Sequence, residues 1–147
     1  MPTNSPATTP EERMVVDSWA LLAWIRDEPN AGRVNAILQD AEAGKVRLYM
    51  SWINAGEVYY MLARKHSPQV ADEFLGRLPS LPLQLVLPDD EDIIAAARMK
   101  SAVKLSYADA FAAVLSQTLG ATLLTGDPEL GQMSHVLRIE WIGPSER

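Results

Sequence analysis

Short runs of apolar residues alternate along this chain with longer segments whose apolar residues recur at helical spacing. The strand-like runs lie at 14–17, 46–50, 83–87, 121–125 and 136–142. Strands that alternate with helices indicate β-α-β units, in which right-handed crossovers join the strands of a parallel sheet. The sequence therefore predicts an α/β fold built on a parallel sheet of about five strands.

The predicted helices have recognisable starts. Ser51 can cap a helix over 52–65, and Ser67 followed by Pro68 is typical of a helix start, here running to about residue 78. Acidic residues at 89–92 suit the beginning of a helix that runs to about 101. Further helices are predicted at 18–26, 34–43 and 106–119. The run 136–142 is predicted to be a strand at or near the sheet edge, because Arg138 and Glu140 alternate with apolar residues.

The termini differ in composition from the rest of the chain. Residues 1–13 contain three prolines with several Thr and Ser and no apolar periodicity, which predicts a disordered or loosely attached tail. Residues 14–143 are predicted to form a single domain, and 144–147 a short C-terminal tail. The length of 147 residues suits one domain whose core needs no disulfide or metal to hold it together.

Composition narrows the classes of function. The chain has no cysteine, which excludes disulfides, zinc–thiolate sites and thiol nucleophiles and is compatible with a reducing compartment. We see no signal-peptide pattern and no apolar run long enough to cross a membrane, so we expect a cytoplasmic protein without a membrane partner. The formal charge of −6 argues against general attraction to nucleic acid, so any basic track for RNA must be local.

Four acidic residues occupy related positions. Asp17 and Asp127 follow strand-like runs, Glu57 interrupts the apolar segment WINAGEVYYML, and Asp109 lies near the start of the helix SYADAFAAVL. Open α/β sheets bind ligands in the crevice at the carboxyl ends of their strands. Carboxylates that converged there would repel one another unless a divalent cation lay between them. A metal site is therefore the leading hypothesis.

Each acid also has a purely structural interpretation. Asp17 can cap the following helix, Asp109 can complete a capping box with Ser106, and Asp127 precedes Pro128, as at many turn or helix starts. Glu57 is different, since apolar residues lie on both sides of it and no lysine or arginine lies within one turn on its face. We expect it to point inward or into a cleft, where a carboxylate needs a metal or a distant partner.

Taken together, these segments resemble the PIN-domain family, and specifically the small VapC-like toxins of type II toxin–antitoxin pairs. VVDSWALLAW is similar to the family's opening strand-Asp-Ser/Thr-helix motif, and INAGEVYY to its helix with the second acid. SYADAFAAVLSQTLGATLLTGD is similar to the Ser-x-x-Asp-Ala helix, the following strand and the closing Thr-x-Asp. The resemblance covers about residues 14–142. It implies a three-layer α/β/α fold with strand order 3-2-1-4-5.

The resemblance also implies an activity. It makes Asp17, Glu57, Asp109 and Asp127 the catalytic and metal-binding residues, with Ser18 and Thr125 as supporting polar residues. Carboxylate ligands favour Mg²⁺ or Mn²⁺ over Zn²⁺, and such ions commonly serve phosphate chemistry. The expected reaction is hydrolysis of RNA to a 5′-phosphate and a 3′-hydroxyl. Asp17 and Asp109 are the best candidates for direct ligands. The two histidines, His66 and His135, belong to no metal-binding motif and are expected at the surface.

The implied partners are RNA, a small antitoxin that covers the metal cleft, and a second copy of the chain. The apolar helix 52–62 could supply a homodimer interface, or both of its faces could be core. Each of seven cations is ordinarily interpreted as part of a solvated helix face, although a local subset could hold phosphates: Arg26, Arg33, Arg64, Lys65, Arg98, Lys100 and Lys104.

Two other enzyme or signalling classes with a similar architecture fit poorly. A haloacid-dehalogenase-like phosphatase would have Asp-x-Asp after the first strand, where this chain has Asp17-Ser18-Trp19. A receiver domain would need paired acids after the first strand and a lysine after its last strands, and this chain has neither. The remaining rival is a non-catalytic PIN domain that keeps the acidic pocket but acts by binding proteins.

Overall fold

The computed structural model of the chain describes residues 12–144. Five parallel strands form one sheet in the order β3-β2-β1-β4-β5. The strands are β1 (Glu12–Val16), β2 (Val46–Ser51), β3 (Gln84–Val86), β4 (Thr122–Thr125) and β5 (Ile139–Trp141). The predicted α/β class and the strand order implied by the resemblance are both confirmed.

Helices connect the strands. They are α1 (Ser18–Ile25), α2 (Ala31–Glu42), α3 (Trp52–Lys65), α4 (Pro68–Arg77), α5 (Asp90–Ala102), α6 (Tyr107–Leu119) and α7 (Pro128–Gly131), with a short 3-10 helix at Leu78–Ser80. Most begin at a side-chain cap, because the first amides of a helix have no partner within it. The hydroxyls of Ser51, Ser67 and Ser106 accept from backbone amides of α3, α4 and α6. Asp89 and Asp92 form a reciprocal capping box at α5.

The buried strands carry apolar side chains on both faces, and each face supports its own core. In β1, Met14 and Val16 pack with residues of α1 to α4, whereas Val15 points to the opposite face and packs with residues of α5, α6 and α7. In β2, Met50 packs on the same face as Met14 and Val16, and Tyr49 packs on the face of Val15. The alternation follows from the two-residue repeat of a strand. The result is the predicted three-layer arrangement.

Sequence-based boundaries were accurate for several elements and wrong for others. The predicted helix 52–65 coincides with α3, and β1 begins at Glu12, two residues earlier than predicted. The last strand was predicted over 136–142 but covers only Ile139–Trp141. Its first part fails to pair because the amides of Val136 and Leu137 both donate to the carbonyl of Met133 in a turn. As predicted, β5 is an edge strand.

The structure describes only small parts of the two predicted tails. Most of the 1–13 tail and residues 145–147 lie outside the described residues. Arg13, the last residue of that tail, belongs to β1 and is aligned with Arg47 of β2. No helix between residues 12 and 144 combines the length and apolar character needed to cross a membrane.

Gly126 lies between β4 and α7 and is covered by the indole ring of Trp19. A Cβ atom at position 126 would lie 2.4 Å from two carbon atoms of this ring, which is well inside van der Waals contact. The close approach therefore requires glycine and fixes Trp19 against the turn that carries Asp127.

We expect Gly126→Ala to lower the free energy of unfolding by about 1–3 kcal/mol, because the indole must leave its position or the backbone must shift. Gly76→Ala is the matched control, since a Cβ at this position in α4 would meet no atom within 4 Å. It should stabilise the protein by about 0.5–1 kcal/mol through the better helix propensity of alanine. Urea unfolding of both variants measures the difference, and a stabilising Gly126→Ala would contradict the packing described.

Candidate metal centre

Asp17 lies where β1 ends and α1 begins, and it is almost completely buried, with 1% of its surface exposed. One carboxylate oxygen, Oδ1, accepts from the Ala20 amide at 2.8 Å. The other, Oδ2, accepts a short hydrogen bond of 2.5 Å from the hydroxyl of Thr125 at the end of β4. Because β1 and β4 are neighbouring parallel strands, their carboxyl ends bring these two side chains together.

Thr125 also connects Asp17 to the next acid. Its Oγ1 atom accepts from the backbone amide of Asp127 at 3.0 Å while its hydrogen goes to Asp17. Asp127 in turn caps α7, with Oδ1 accepting from the amide of Glu129 at 2.9 Å. The Thr125 hydroxyl therefore satisfies hydrogen-bonding groups of both acids at once, and it is itself fully buried.

Glu57 and Asp109 come from helices rather than from strand ends. Glu57 is half-buried on α3, and the Tyr60 hydroxyl donates to its Oε2 at 3.3 Å. Asp109 lies in the first turn of α6, and its amide donates to the capping hydroxyl of Ser106 at 3.1 Å. The caps that the sequence suggested for Asp17 and Asp127 are present. Within the described residues the Ser106 amide makes no return bond to the Asp109 carboxylate, so the suggested capping box is incomplete. Both oxygens of Asp17 accept a hydrogen bond, whereas the cap uses one oxygen of Asp127.

Asn54 is a buried polar residue that the sequence analysis did not single out. Its exposed fraction is 0%, and its amide nitrogen donates to Ser18 Oγ at 3.1 Å and to the Ala108 carbonyl at 3.2 Å. The Ser18 hydroxyl returns a hydrogen bond to the Asn54 carbonyl at 3.2 Å. Asn54 therefore joins the start of α1, the first turn of α3 and the start of α6, the three helices that carry Asp17, Glu57 and Asp109. A polar residue three positions before Glu57 in an otherwise apolar stretch was the available signal.

The acids meet at one cleft of about 390 Å³. Glu57, Asp109 and Asp127 line it together with Ser18, and Glu28 and Glu129 also contribute to its wall. Asp17 is buried rather than part of this lining, but the charges of Asp127 and Glu57 act on its carboxylate. All four acids that the sequence picked out, spread from position 17 to position 127, are thus brought to one place in the fold.

The electrostatics of the cleft are unfavourable for the carboxylates alone. Burial, with smaller contributions from Asp127 and Glu57, raises the pKa of Asp17 to about 7, against the lowering effect of its bonds from Thr125 and Ala20. Burial, then the charges of Asp127 and Asp17, raise the pKa of Asp109 to about 8. Raised carboxyl pKa values mean that the ionised forms lack compensating positive charge.

A hard divalent cation would supply that charge, and the donor set is chemically suitable for it, since every candidate ligand is an oxygen. The side chains do not form a ready-made cage: within residues 12–144, no three Asp, Glu or His residues are grouped so that they could hold an ion as they lie. Mg²⁺ usually retains several waters and binds proteins through one or two carboxylates. The residues present therefore fit a partly hydrated ion rather than an ion enclosed by protein. His66 and His135 are both exposed, as expected.

We expect Asn54→Ala to lower the free energy of unfolding by about 1–3 kcal/mol, because the Ser18 hydroxyl and the Ala108 carbonyl lose a buried donor. Asn35→Ala is the matched control, since Asn35 is exposed and only accepts from the Trp24 indole. That variant should change the free energy by less than about 0.5 kcal/mol. Chemical denaturation of both proteins gives the comparison, and equal stabilities would contradict the bridging role of Asn54.

The raised pKa values of Asp17 and Asp109 also predict how stability depends on pH. In the absence of metal, the folded protein retains protons on these carboxyls above pH 3.8, the ordinary value at which the unfolded chain releases them. Their contribution to stability is complete below that pH and is lost as the pH rises toward about 8. Melting temperatures in EDTA should therefore fall between pH 5 and pH 8, and a double Asp17→Asn, Asp109→Asn variant should show a flatter profile.

Mg²⁺ should raise the melting temperature more at pH 8 than at pH 5, because it competes with protons for the same carboxylates. A pH-independent effect of Mg²⁺ in the wild-type protein would indicate that the ion binds elsewhere.

Comparison with known proteins places these features in a family. The family model for the PIN domain matches residues 14–136, which is most of the chain. No curated protein sequence matched it. Among solved structures, the fold is similar to VapBC2 of Rickettsia felis bound to a promoter DNA fragment, at a TM-score of 0.68 and 15% identity over 87% of this chain and 97% of that one.

Two further solved structures have comparable TM-scores. VapBC-1 of nontypeable Haemophilus influenzae has a TM-score of 0.64 and 17% identity, over 88% of this chain and 97% of that one. VapC20 of Mycobacterium tuberculosis, described as a toxin that cleaves the sarcin–ricin loop, has a TM-score of 0.66 and 14% identity, over 81% and 93% of the two chains. Identities this low establish the shared fold. The family match, which covers the cleft with all four acids, establishes that this chain belongs to the PIN-domain family.

Proposed function

We propose that this protein is a Mg²⁺- or Mn²⁺-dependent endoribonuclease that acts in the cytoplasm as the toxin of a VapBC-type pair. The observation that supports this most strongly is the convergence of Asp17, Glu57, Asp109 and Asp127 at one cleft of a PIN domain. Without a cation the arrangement is costly, because burial and mutual repulsion oppose ionisation. A fold that maintains such a cost at one point is best explained by a function for the charges.

In this proposal the four acids have different roles. Asp17 and Asp109 are the principal ligands, because they are the most buried of the four and their burial raises their pKa values. Thr125 keeps Oδ2 of Asp17 oriented, and Ser18 with Asn54 fixes the spacing of the helices. Glu57 lies at the cleft wall, where Tyr60 is its one hydrogen-bond donor among residues 12–144, so it can accept a proton from the attacking water or orient that water. Asp127 completes the negative pocket.

A bound cation would supply positive charge for the leaving oxygen and would acidify a water for attack on the phosphodiester. The carboxylates of the chain position that ion, and the cleft limits the direction from which the phosphate enters. The expected products carry a 5′-phosphate and a 3′-hydroxyl.

The similar structures also suggest partners. Two of them are toxin–antitoxin complexes, one of these on DNA, and one is a toxin described as cutting the sarcin–ricin loop. We propose by analogy that this chain binds a small antitoxin and cuts a structured RNA. A homodimer is also proposed, because the large side chains of Trp52, Ile53 and Tyr60 on α3 are exposed although the same helix packs its Ala55, Val58 and Leu62 in the core.

A non-catalytic PIN domain is the alternative function. One observation favours it, namely that no three acids within residues 12–144 are already grouped to hold an ion. In that case the cleft would serve only to bind a basic segment of a partner protein. Metal binding and cleavage separate the two functions.

We expect the purified protein to cleave a synthetic sarcin–ricin loop hairpin or bulk tRNA in Mg²⁺ or Mn²⁺, and to lose this activity in EDTA. Asp17→Asn and Asp109→Asn should each reduce the cleavage rate by about 100-fold or more. Loss of a residue that only hydrogen-bonds to a metal ligand already costs up to roughly 100-fold in activity, and loss of a ligand should cost at least as much. Gel electrophoresis of end-labelled RNA measures the rates and identifies the ends.

Asp90→Asn is the control for these substitutions, because Asp90 lies in the first turn of α5 and does not line the cleft. Its activity should equal that of the wild type. Equal cleavage by wild type and Asp17→Asn would mean that the activity belongs to a contaminating nuclease. Metal binding by the wild type without cleavage of either RNA would support the binding-only alternative.

A further inference from the structure

Two cations line the acidic cleft. Of the seven that the sequence offered as possible phosphate ligands, Arg26 and Lys65 are the two on its wall. Arg26 follows the last residue of α1, and Lys65 is the last residue of α3. The same two helices carry acids near their starts, since Asp17 caps α1 and Glu57 lies in the second turn of α3.

The Arg26 guanidinium has a donor without a partner among the described residues. Its Nη2 atom is buried and has no hydrogen-bond partner, and within residues 12–144 neither Arg26 nor Lys65 forms an ion pair. Three of the other five candidate cations are occupied: Arg33 pairs with Glu140, Lys100 donates to the Leu105 carbonyl, and Arg64 lies over the Tyr60 ring. A buried guanidinium donor without a partner is costly, and its usual partners are carboxylates and phosphates.

The cations lie away from the carboxylates along the cleft. Arg26 comes nine positions after Asp17 and Lys65 eight positions after Glu57, which at about 1.5 Å per helical residue separates their Cα atoms by roughly 12–14 Å along the helix axis. Trp19, Leu22 and Met61 supply apolar side chains to the same cleft wall. The two cations therefore belong to the far ends of α1 and α3, where they can bind an anionic group of a substrate that extends through the cleft, although Glu28 shares this wall.

We propose that Arg26 and Lys65 form a phosphate subsite that binds an RNA phosphate beside the one that is cut. The subsite rests on the proposed function for its substrate. It explains how a chain of net charge −6 holds a polyanion, because attraction is supplied locally at one end of the cleft. The apolar side chains on this wall suit a ribose or base of the bound RNA. These residues position the RNA and do not take part in bond cleavage.

The test uses Arg26→Gln, Lys65→Gln and the double variant, each in the Asp17→Asn background so that RNA is bound but not cut. Fluorescence anisotropy with a labelled sarcin–ricin loop hairpin measures the dissociation constant at several salt concentrations. We expect the double variant to bind about 10-fold more weakly or worse. The slope of log affinity against log salt should decrease by about 1 for a lost phosphate contact.

An Arg98→Gln, Lys45→Gln double variant is the control for charge, because both residues are exposed and neither lines the cleft. It should bind the hairpin as the parent does. In the active protein, Arg26→Gln should raise KM and largely retain kcat. The rise in melting temperature caused by Mg²⁺ should be unchanged, which shows that the substitution does not act through the metal.

Unchanged hairpin affinity in the Arg26 and Lys65 double variant would overturn the subsite, as would an equal loss in the Arg98 and Lys45 control. A fall in kcat without a change in affinity would also overturn it. If the wild type cuts no RNA, the proposed ribonuclease function fails. The anisotropy measurement still decides on the phosphate subsite in that case, because it does not depend on cleavage.

Discussion

The buried carboxylate of Asp17 is the constraint on which the rest of the site depends. Asp17 follows the last residue of β1 and caps α1, and its carboxylate accepts a hydrogen bond from the Thr125 hydroxyl at the end of the neighbouring β4. One side chain therefore connects the first and fourth strands at their carboxyl ends. The hydrogen bonds to both oxygens stabilise the ionised form, whereas complete burial opposes it, and burial has the larger effect on its pKa. The fold therefore places an acid where it is rigidly held but electrically uncompensated.

The helices reduce part of this cost. Asp17 caps α1 and Asp109 lies in the first turn of α6, and helix starts favour negative charge because their free amides and aligned dipoles are positive. The remaining imbalance is evident in Asp109, whose pKa rises to about 8 from burial and from the charges of Asp127 and Asp17. Rigid placement by strands and helices, together with incomplete neutralisation, is the condition under which a hard cation gains the most by binding.

Much of this was accessible from the sequence. Apolar runs that alternate with capped helical patterns gave the α/β class, and the positions of Asp17 and Asp127 after strand-like runs indicated a shared location. Local signals could not give the length of β5, because the turn bonds of Val136 and Leu137 to Met133 depend on where α7 ends. A polar residue in an apolar stretch was the only sign of Asn54, Arg26 was one of seven candidate cations, and nothing indicated the contact of Trp19 with Gly126. Each of these depends on which helices become neighbours, and a tertiary contact of this kind has no local pattern.

The two outer strands, β3 and β5, have only three residues each. The unpaired backbone donors and acceptors at the borders of the sheet are therefore few, and a second polypeptide could form only a short ladder by adding a strand there. Recognition by extension of the sheet is consequently disfavoured at both borders. A protein that binds this domain tightly must instead use side chains on the helical layers, so its specificity would be set by shape and packing rather than by main-chain pairing.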